Sequence, residues 1–390
     1  MAEIDKKMLI LKNGENLAKN HEDKNYSCKD GKINLEDSLI DNKKRNQEPR
    51  EIEKMWESML RVHDEIETKT GGKEVLEIIE DKPEKVESNV EINPEDEELD
   101  LDLSEELPPE VMEYAKRELG ETEEVKCQTL QELRDMIYEK GECSPHRMDD
   151  AFLIRFLRAR NFNVYRAHRL IVKYCNFKEE YPEIHKNVNP LEMRHIGDDD
   201  VMTVPAYRTQ CGRRMMIYRM GNWDPKKYGV EEIFKATVII LELGILEPRA
   251  QVLGGVVIFD LQGITIAHAW SVTPQIANMV LGLMVTANPM KTYAIHILHQ
   301  SWVFDMIYAV FKPLLNKEMQ DRVFFHGDDM SSLHKHVAPT SLPKKYGGTR
   351  EELPYYKWID SLSLKPRLVK EMYSLGYIVP DELLETIKGL

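Results

Sequence analysis

The chain has 390 residues, of which 42% are hydrophobic and 31% charged, and its net charge at pH 7 is −15. This acidic surplus argues against a general nucleic-acid-binding protein, which normally carries a surplus of bases. No run of 18 apolar residues occurs in the sequence, so we expect no membrane-spanning helix.

Residues 1–106 carry almost all of the net charge. They contain 17 Lys and Arg against 31 Asp and Glu, and Tyr26 and Trp56 are their only aromatic residues. A segment with so much charge and so few apolar side chains cannot bury enough surface to offset the entropy of ordering. We therefore predict a mostly disordered acidic leader, in which Glu51–Thr68 has helical spacing of apolar residues. The leader either only solvates the chain or recruits a protein partner.

A small helical module is predicted over residues 107–182. Pro108 and Pro109 mark the start of its first helix, and Gly120 marks the end. The later helices are predicted to begin at Thr122, at Asp149 and at about Val164. Pro182 ends the last of them.

Short β-rich segments alternate with helical segments from residue 190 onward. The predicted strands are Met215–Tyr218, Gly255–Phe259, Thr292–Leu298 and Val323–Phe325. The predicted helices are Glu231–Leu246, Thr273–Ala287, Trp302–Leu315 and Ser331–His336. This alternation predicts an α/β domain over residues 190–350, with a sheet covered by helices. A C-terminal tail of residues 351–390 follows it.

Motifs for catalysis or metal binding are missing from the sequence, which contains no GxSxG, no P-loop and no HExxH. His296 and His299 follow strand-like residues and are expected to point to opposite faces of the sheet. Asp260 ends an apolar strand without a base or nucleophile beside it in sequence, so we expect it to cap or to accept hydrogen bonds. The sequence therefore predicts neither an enzyme nor a metal site.

The segment Trp302–Phe311 is apolar on every face of its predicted helix, and Asp305 is its one charged residue. The cationic residues around it are Lys291, Lys312, Lys317 and Arg322. Two interpretations are open. The segment is either a core helix flanked by solvated lysines or a helix that inserts shallowly into an anionic membrane.

The segment Ile276–Met290 is also rich in apolar residues, including three methionines. Methionine adapts to irregular gaps and flexible ligands. An internal cavity of lipid size would explain this apolar surplus, and a well-packed core is the alternative.

Several sequence motifs together resemble the CRAL-TRIO lipid-binding family. The helical module contains DDAFLIRFLRARNFNVYRAHRLI, which resembles the family's N-terminal module. The later motifs, in family order, are YRMGNWDPKKY, GVVIFDLQGITIAHAWSVTP, NPMKTYAIHILHQ, VFKPLL, RVFFHGDD and LPKKYGG. The resemblance covers about Pro108–Gly348 and implies a mixed β-sheet covered by helices, with a mobile gate helix.

The resemblance implies a non-enzymatic carrier that holds one hydrophobic molecule as cargo and needs no cofactor. The gate would be Trp302–Leu315, with Trp302, Phe304, Ile307 and Phe311 as its apolar side chains. The ligand-lining positions carried over from a family member are Phe234, Thr237, Ile258, Phe259, Val280, Leu283, Met284 and Met290. Three other lining positions depart from that member in residue type, namely Leu241, Gly255 and Asn288.

The resemblance also implies a phosphoinositide-binding group of cations near the gate. Arg160 and Lys291 match two of its positions, whereas the other two are Tyr293 and Glu318 here. Lys317 is adjacent in sequence to the missing lysine, and Arg322 matches a nearby family arginine. We therefore expect headgroup binding that is weaker or differently selective.

The sequence thus predicts transfer of a retinoid, a tocopherol-like molecule or another lipid between membranes, with docking on phosphoinositide-containing membranes. The alternative is a membrane-trafficking adaptor that uses the bound lipid as a signal. The scattered cysteines form no CxxC pair, namely Cys28, Cys127, Cys143, Cys175 and Cys211. Free thiols favour a cytoplasmic protein, here with transient association with endosomal or other phosphoinositide-rich membranes.

Overall fold

The computed structural model describes residues 101, 103, 106–352, 363 and 365–388. They all belong to one unit, Thr70–Leu390. The predicted disordered leader lies outside the described residues except for Leu101, Leu103 and Glu106, and the predicted helical segment Glu51–Thr68 lies wholly outside them.

Four helices form the predicted N-terminal module. They are α1 (Pro109–Tyr114, continued by a π-helical turn to Leu119), α2 (Glu123–Lys140), α3 (Asp150–Ala159) and α4 (Val164–Glu180). The predicted starts are confirmed by caps, since the Thr122 and Asp149 side chains accept hydrogen bonds from the backbone N–H groups of Val125 and Phe152. Gly120 ends the first helix in the left-handed region, at φ 72°.

The second domain is built on a five-stranded sheet in the order β1-β2-β3-β4-β5. The strands are β1 (Met202–Thr203), β2 (Arg214–Arg219), β3 (Gly255–Asp260), β4 (Thr292–Leu298) and β5 (Val323–Gly327). Strand β1 pairs antiparallel with β2, and the remaining pairs are parallel. The sheet is therefore mixed, as predicted, and β1 is the strand that the sequence analysis missed.

Helices connect the strands and cover the sheet. Before β3 lie α5 (Arg194–Asp198), α6 (Val230–Gly244) and α7 (Pro248–Leu253). Between β3 and β4 lie α8 (Ile266–Trp270) and α9 (Pro274–Leu281, continued by a π-helical turn to Ala287). The later helices are α10 (Trp302–Phe311), α11 (Lys317–Asp321), α12 (Met330–His334), α13 (Pro366–Ser374) and α14 (Asp381–Ile387).

The two faces of the sheet carry different cores. The main core lies on the face covered by α6 and α9 and includes Tyr218, Phe234, Val257 and Leu283. The opposite face packs against α12 and the segment after it, and includes Ile217, Ile258 and Leu333. Successive side chains on a strand point to opposite faces, which places neighbouring residues of β2 and β3 in different cores.

Part of the predicted C-terminal tail belongs to the folded domain. Leu368 and Met372 of α13 are buried in the main core. The Glu371 carboxylate of the same helix forms ion pairs with Arg147 and, at 3.2 Å, with the buried Arg155 of α3. The tail therefore links the helical module to the sheet domain.

Candidate functional site

Most of the predicted ligand-lining residues gather in one place. Phe234 and Leu283 lie within the main core, and Thr237 is buried one turn after Phe234 on α6. The half-buried members that pack against the same core are Phe259, Val280, Met284 and Met290. Helix α6, helix α9 with its π-helical turn, strand β3 and the segment before β4 thus place seven of the eight predicted residues around one apolar region. Their contact with a ligand stays a prediction.

Ile258 is the exception among the predicted ligand-lining residues. It is fully buried in the core on the opposite face of the sheet, with Ile217 and Leu298. Its neighbour Phe259 packs against the main core. Two successive strand residues cannot face the same side, so the structure separates Ile258 from the other predicted residues.

A cavity lies where α6 meets β2, β3 and the segment before β4. Its apolar walls include Met216, Ile240, Leu241, Met284 and Met290. Two of these are predicted lining residues, and Leu241 is one of the positions that departs from the family pattern. Leu101, from the end of the acidic leader, also lines it.

The cavity is much smaller than the lipid-sized space expected from the sequence. Its volume is about 50 Å³, which suits a few water molecules. Pockets for small-molecule ligands typically hold about 300–1,000 Å³. Leucine, isoleucine and methionine side chains fill the remaining space between α6 and the sheet.

The polar edge of the cavity is a buried ion cluster that the sequence analysis missed. Glu247 is 0% exposed, and its carboxylate accepts two hydrogen bonds from Arg214, at 2.9 and 2.6 Å. Arg208 donates a third, at 3.0 Å. Such a bidentate pair is a strong, geometrically specific interaction, so Glu247 holds both guanidinium groups at this edge.

The helix predicted over Trp302–Leu315 is present as α10 (Trp302–Phe311), and a short 3-10 turn continues it to Leu314. Its role as a gate stays a prediction. Val303 and Phe304 are buried, Ile307 and Phe311 are half-buried, and Trp302 is 60% exposed. Large apolar side chains on an exposed helix surface are unusual for a protein that only contacts water. Trp270 of α8, which packs against α10, and Phe325 of β5 are exposed as well.

Helix α10 rests on the same sheet face as the main core. Phe304 and Tyr308 pack with Phe325, at ring-centroid distances of 6.1 and 5.4 Å. Phe259 and Ile295 contact both this small cluster and the main core. Because α10 connects two parallel strands, it runs back toward the amino ends of the strands. Its last residues therefore approach the start of β5.

Two of the predicted headgroup cations, Arg160 and Lys291, are brought to the amino ends of the strands. Lys291 precedes β4, and its ammonium group donates a hydrogen bond to the side-chain oxygen of Asn161, the residue after Arg160. Arg160 itself donates to the carbonyl of Ala159, at 3.0 Å. Asn161 and Phe162 adopt left-handed conformations, with φ of 49° and 57°, and this sharp turn after α3 brings Asn161 to Lys291.

Arg322 also reaches this edge of the sheet, because it donates to the carbonyl of Thr292 at 2.7 Å. It also pairs with Glu318 at 2.6 Å. Glu318, which occupies a position that is basic in the family, thus partly neutralises the charge of Arg322. Lys317 is exposed at the start of α11. The headgroup role of all four cations stays a prediction.

The structure brings together three histidines that are far apart in sequence. His296 Nδ1 and His326 Nε2 lie 2.9 Å apart, and the His336 ring centroid lies 5.2 and 5.6 Å from theirs. Burial lowers the pKa of all three, to about 3 for His296. Within the described residues, however, no group of three His, Cys, Asp or Glu is placed to hold a metal ion.

The expected hydrogen-bonding role of Asp260 is confirmed. Its carboxylate accepts from the backbone N–H of Gln262 at 3.0 Å and from the Tyr346 hydroxyl at 3.1 Å, and it pairs with His299 at 2.8 Å. Burial alone would raise the pKa of this carboxyl, but these hydrogen bonds outweigh burial and lower it.

Acidification is expected to destabilise the fold through two buried histidines. Burial lowers the pKa of His185 to about 4 and that of His296 to about 3. When the pH falls below about 6.5, the ordinary pKa of histidine, the unfolded chain binds protons that the folded chain does not. The stability of the fold therefore decreases as the pH falls. At pH 5, each histidine lowers the free energy of unfolding by about 2 kcal/mol relative to pH 8.

Urea unfolding at pH 8 and pH 5 measures this loss. His185→Gln removes one of the histidines whose pKa is lowered, so we expect the variant to lose clearly less stability on acidification. The same loss in the variant and the parent would show that His185 does not contribute.

None of the described helices combines the length and the apolar character that crossing a membrane requires.

Comparisons with known proteins give the same family as the sequence motifs. The family model "CRAL/TRIO domain" matches residues 199–348, and the model "CRAL/TRIO, N-terminal domain" matches residues 73–173. The crystal structure of Sfh5 is similar with a TM-score of 0.42 and 14% identity, over 61% of this chain and 92% of that one.

Two relatives each match about two thirds of the chain. An alpha-tocopherol transfer protein-like protein of Mus musculus is 33% identical over 252 residues, which are 65% of this chain and 74% of that protein. Clavesin-2 of Homo sapiens is 30% identical over 258 residues, which are 66% of this chain and 79% of that protein. With both family models matching in order and these relatives covering two thirds of the chain, the chain belongs to the CRAL/TRIO family of lipid-binding proteins.

Proposed function

We propose that this chain carries one small hydrophobic molecule, such as a retinoid or a tocopherol-like lipid, and transfers it between membranes without chemical turnover. The observation that carries the proposal is the placement of the gate helix. An apolar helix with the exposed Trp302 covers the same sheet face as the methionine-lined cavity.

The cavity must widen to accept a lipid, and its walls are suited to that change. Met216, Met284 and Met290 are unbranched and flexible, so they can repack around a ligand. In water, a gate helix that moves away exposes apolar surface at a cost of roughly 25 cal/mol per Å². A membrane removes most of that cost and thereby shifts the population toward the open state.

The same surface supports docking on anionic membranes. The exposed aromatic side chains of Trp270, Trp302 and Phe325 suit the membrane interface. The gate helix leads at its other end to Lys312, Lys317 and Arg322, so cations flank this surface. We propose that the chain works from the cytoplasm and docks transiently on phosphoinositide-rich membranes.

Transfer of a fluorescent retinoid or tocopherol analogue between vesicles tests this function. We expect one molecule bound per chain, release of an unchanged molecule, and transfer that rises with phosphoinositide content. Membrane docking without ligand loading or transfer would contradict the carrier function. It would favour the alternative function, a membrane-trafficking adaptor.

Met284→Trp is expected to lower ligand loading about tenfold or more, because the indole fills space between α9 and the sheet that a ligand needs. The measurement is the ligand-to-protein ratio after incubation with loaded vesicles. Met112→Trp is the matched control, since Met112 is exposed on α1. Equal loading of the two variants would rule out the Met284 region as the ligand site.

A further inference from the structure

The end of the acidic leader reaches into the main core. Leu101 is 6% exposed and belongs to that core, and the half-buried Leu103 packs against it. Leu101 also lines the cavity, together with Met284 and Met290. The other lining residues all belong to the sheet domain, within residues 204–292. The leader therefore places one apolar side chain at the site where the ligand is proposed to bind.

Leu101 is attached to the sheet domain by its side chain rather than by its backbone. Among the described residues, no backbone hydrogen bond links Leu101 to a strand or a helix. The Leu103 carbonyl accepts a hydrogen bond from Arg367 of α13, at the long distance of 3.4 Å. Met284, in contrast, belongs to the π-helical turn after α9. The end of the leader can therefore leave the cavity without breaking a helix or the sheet.

Charge also favours this place for the end of the leader. In the sequence, Leu101 stands between two aspartates, within a run of nine acids and no base over residues 91–106. The charged residues among the described lining of the cavity are Arg214, Lys291 and Glu247, so positive charge exceeds negative charge there. Opposite charges attract more strongly where water is partly excluded. An acidic segment therefore suits this edge of the cavity better than a neutral one.

We infer that the end of the acidic leader, anchored by Leu101, is an internal competitor of the cargo. It occupies part of the ligand site in the unloaded protein and leaves when a lipid enters. This inference rests on the proposed carrier function and adds a means of regulating it. A ligand binds only those molecules whose cavity is clear of Leu101, so its apparent affinity is reduced by that fraction. Burial of one leucine side chain is enough to lower the affinity about tenfold or more.

The competition acts in both directions. If the leader weakens ligand binding, the ligand weakens the attachment of the leader by the same factor. The acidic segment around Leu101 is thus held back in the empty protein and accessible in the loaded one. A bound lipid thereby changes what the chain presents to its surroundings.

The variant Leu101→Ala tests the inference in the full chain. Retinol and a fluorescent tocopherol analogue are the probes, and fluorescence titration gives their affinities. We expect the variant to bind about tenfold more tightly than the parent, because the competitor is weakened. The direction of the change is informative, since removal of a core leucine otherwise leaves a void and destabilises the fold.

Leu375→Ala is the matched control for this test. Leu375 is 7% exposed in the same core and does not line the cavity. We expect this variant to bind the probes as the parent does or more weakly. Tighter binding by Leu375→Ala would show that any loosening of the core admits a ligand, and it would overturn the inference.

Hydrogen exchange measures the displacement itself. In the parent protein, loading with a probe is expected to speed the exchange of backbone amides near Leu101 and Leu103. Exchange near Leu241 and Met284 is expected to slow, because the ligand stabilises that part of the core. Unchanged or slower exchange near Leu101 would mean that this residue is a fixed part of the cavity wall, and it would overturn the inference.

The outcomes also distinguish this inference from the proposed function. Equal or weaker binding by Leu101→Ala overturns the inference and leaves the carrier function standing. A probe that binds to Leu101→Ala but not to the parent supports the inference. Failure of every probe to bind to either protein overturns both.

Discussion

Glu247→Gln is expected to lower the free energy of unfolding by about 3–5 kcal/mol. It removes the buried charge that is shared by Arg208 and Arg214, whose side chains are 10% and 12% exposed. Arg208 and Arg214 both donate to this carboxylate, whose side chain has no exposed surface. Without the Glu247 carboxylate, the guanidinium groups of Arg208 and Arg214 stay largely desolvated at the cavity edge and lose their negatively charged partner. Chemical unfolding of the parent and the variant at pH 7.5 measures the difference.

Glu351→Gln is the matched control for this prediction. It removes the partner of Lys344, and both side chains of that ion pair are exposed. Exposed pairs contribute about 0–1 kcal/mol, so this variant should unfold nearly like the parent. If Glu247→Gln behaves like Glu351→Gln, the buried cluster does not stabilise the fold.

The double substitution Arg160→Ala with Lys291→Ala is expected to weaken binding to phosphoinositide vesicles about 30-fold. Each cation near an anionic surface contributes about 1 kcal/mol, and about 2 kcal/mol corresponds to that change. The structure supports treating the two as one group, because Lys291 donates to the residue next to Arg160. Vesicle co-sedimentation at physiological salt gives the affinity.

A control with the same charge change shows whether position matters. Lys226 and Lys335 are exposed, and their replacement by alanine also removes two cations. We expect a much smaller loss of vesicle binding from that control. Equal losses in the two double variants would mean that net charge, rather than this group, attracts the membrane. Ligand content should stay unchanged in the control, since Lys226 and Lys335 do not line the cavity, whereas Lys291 does.

Local sequence patterns were sufficient for most of the fold, as the strands and caps show. The predicted strand Thr292–Leu298 matches β4 residue for residue, and Thr122 caps α2 as expected. These features depend on side-chain periodicity and on residues a few positions apart. Strand β1 and helix α13 were missed because β1 has two residues and α13 lies in a segment outside the family motifs.

The candidate site was predicted less completely, because its contacts join distant parts of the chain. Side chains on a strand alternate between the two faces of a sheet, so Ile258 and Phe259 must face opposite sides. Only the packing of the sheet decided that Phe259, and not Ile258, faces α6 and α9. Glu318 and Arg322 are four residues apart, about one helical turn, so their ion pair is a local contact. In contrast, only the placement of α11 brings Arg322 to the carbonyl of Thr292.

The sequence by itself determined four of the five strands, the apolar helix over Trp302–Phe311 and the family, since these depend on local composition and spacing. Tertiary structure alone decided which side chains meet: Glu247 with two arginines, Tyr218 with Thr237, and His296 with His326. The physical reason is that these pairs depend on strand register and on helix packing across the sheet. Neither is encoded in the spacing of residues along one segment.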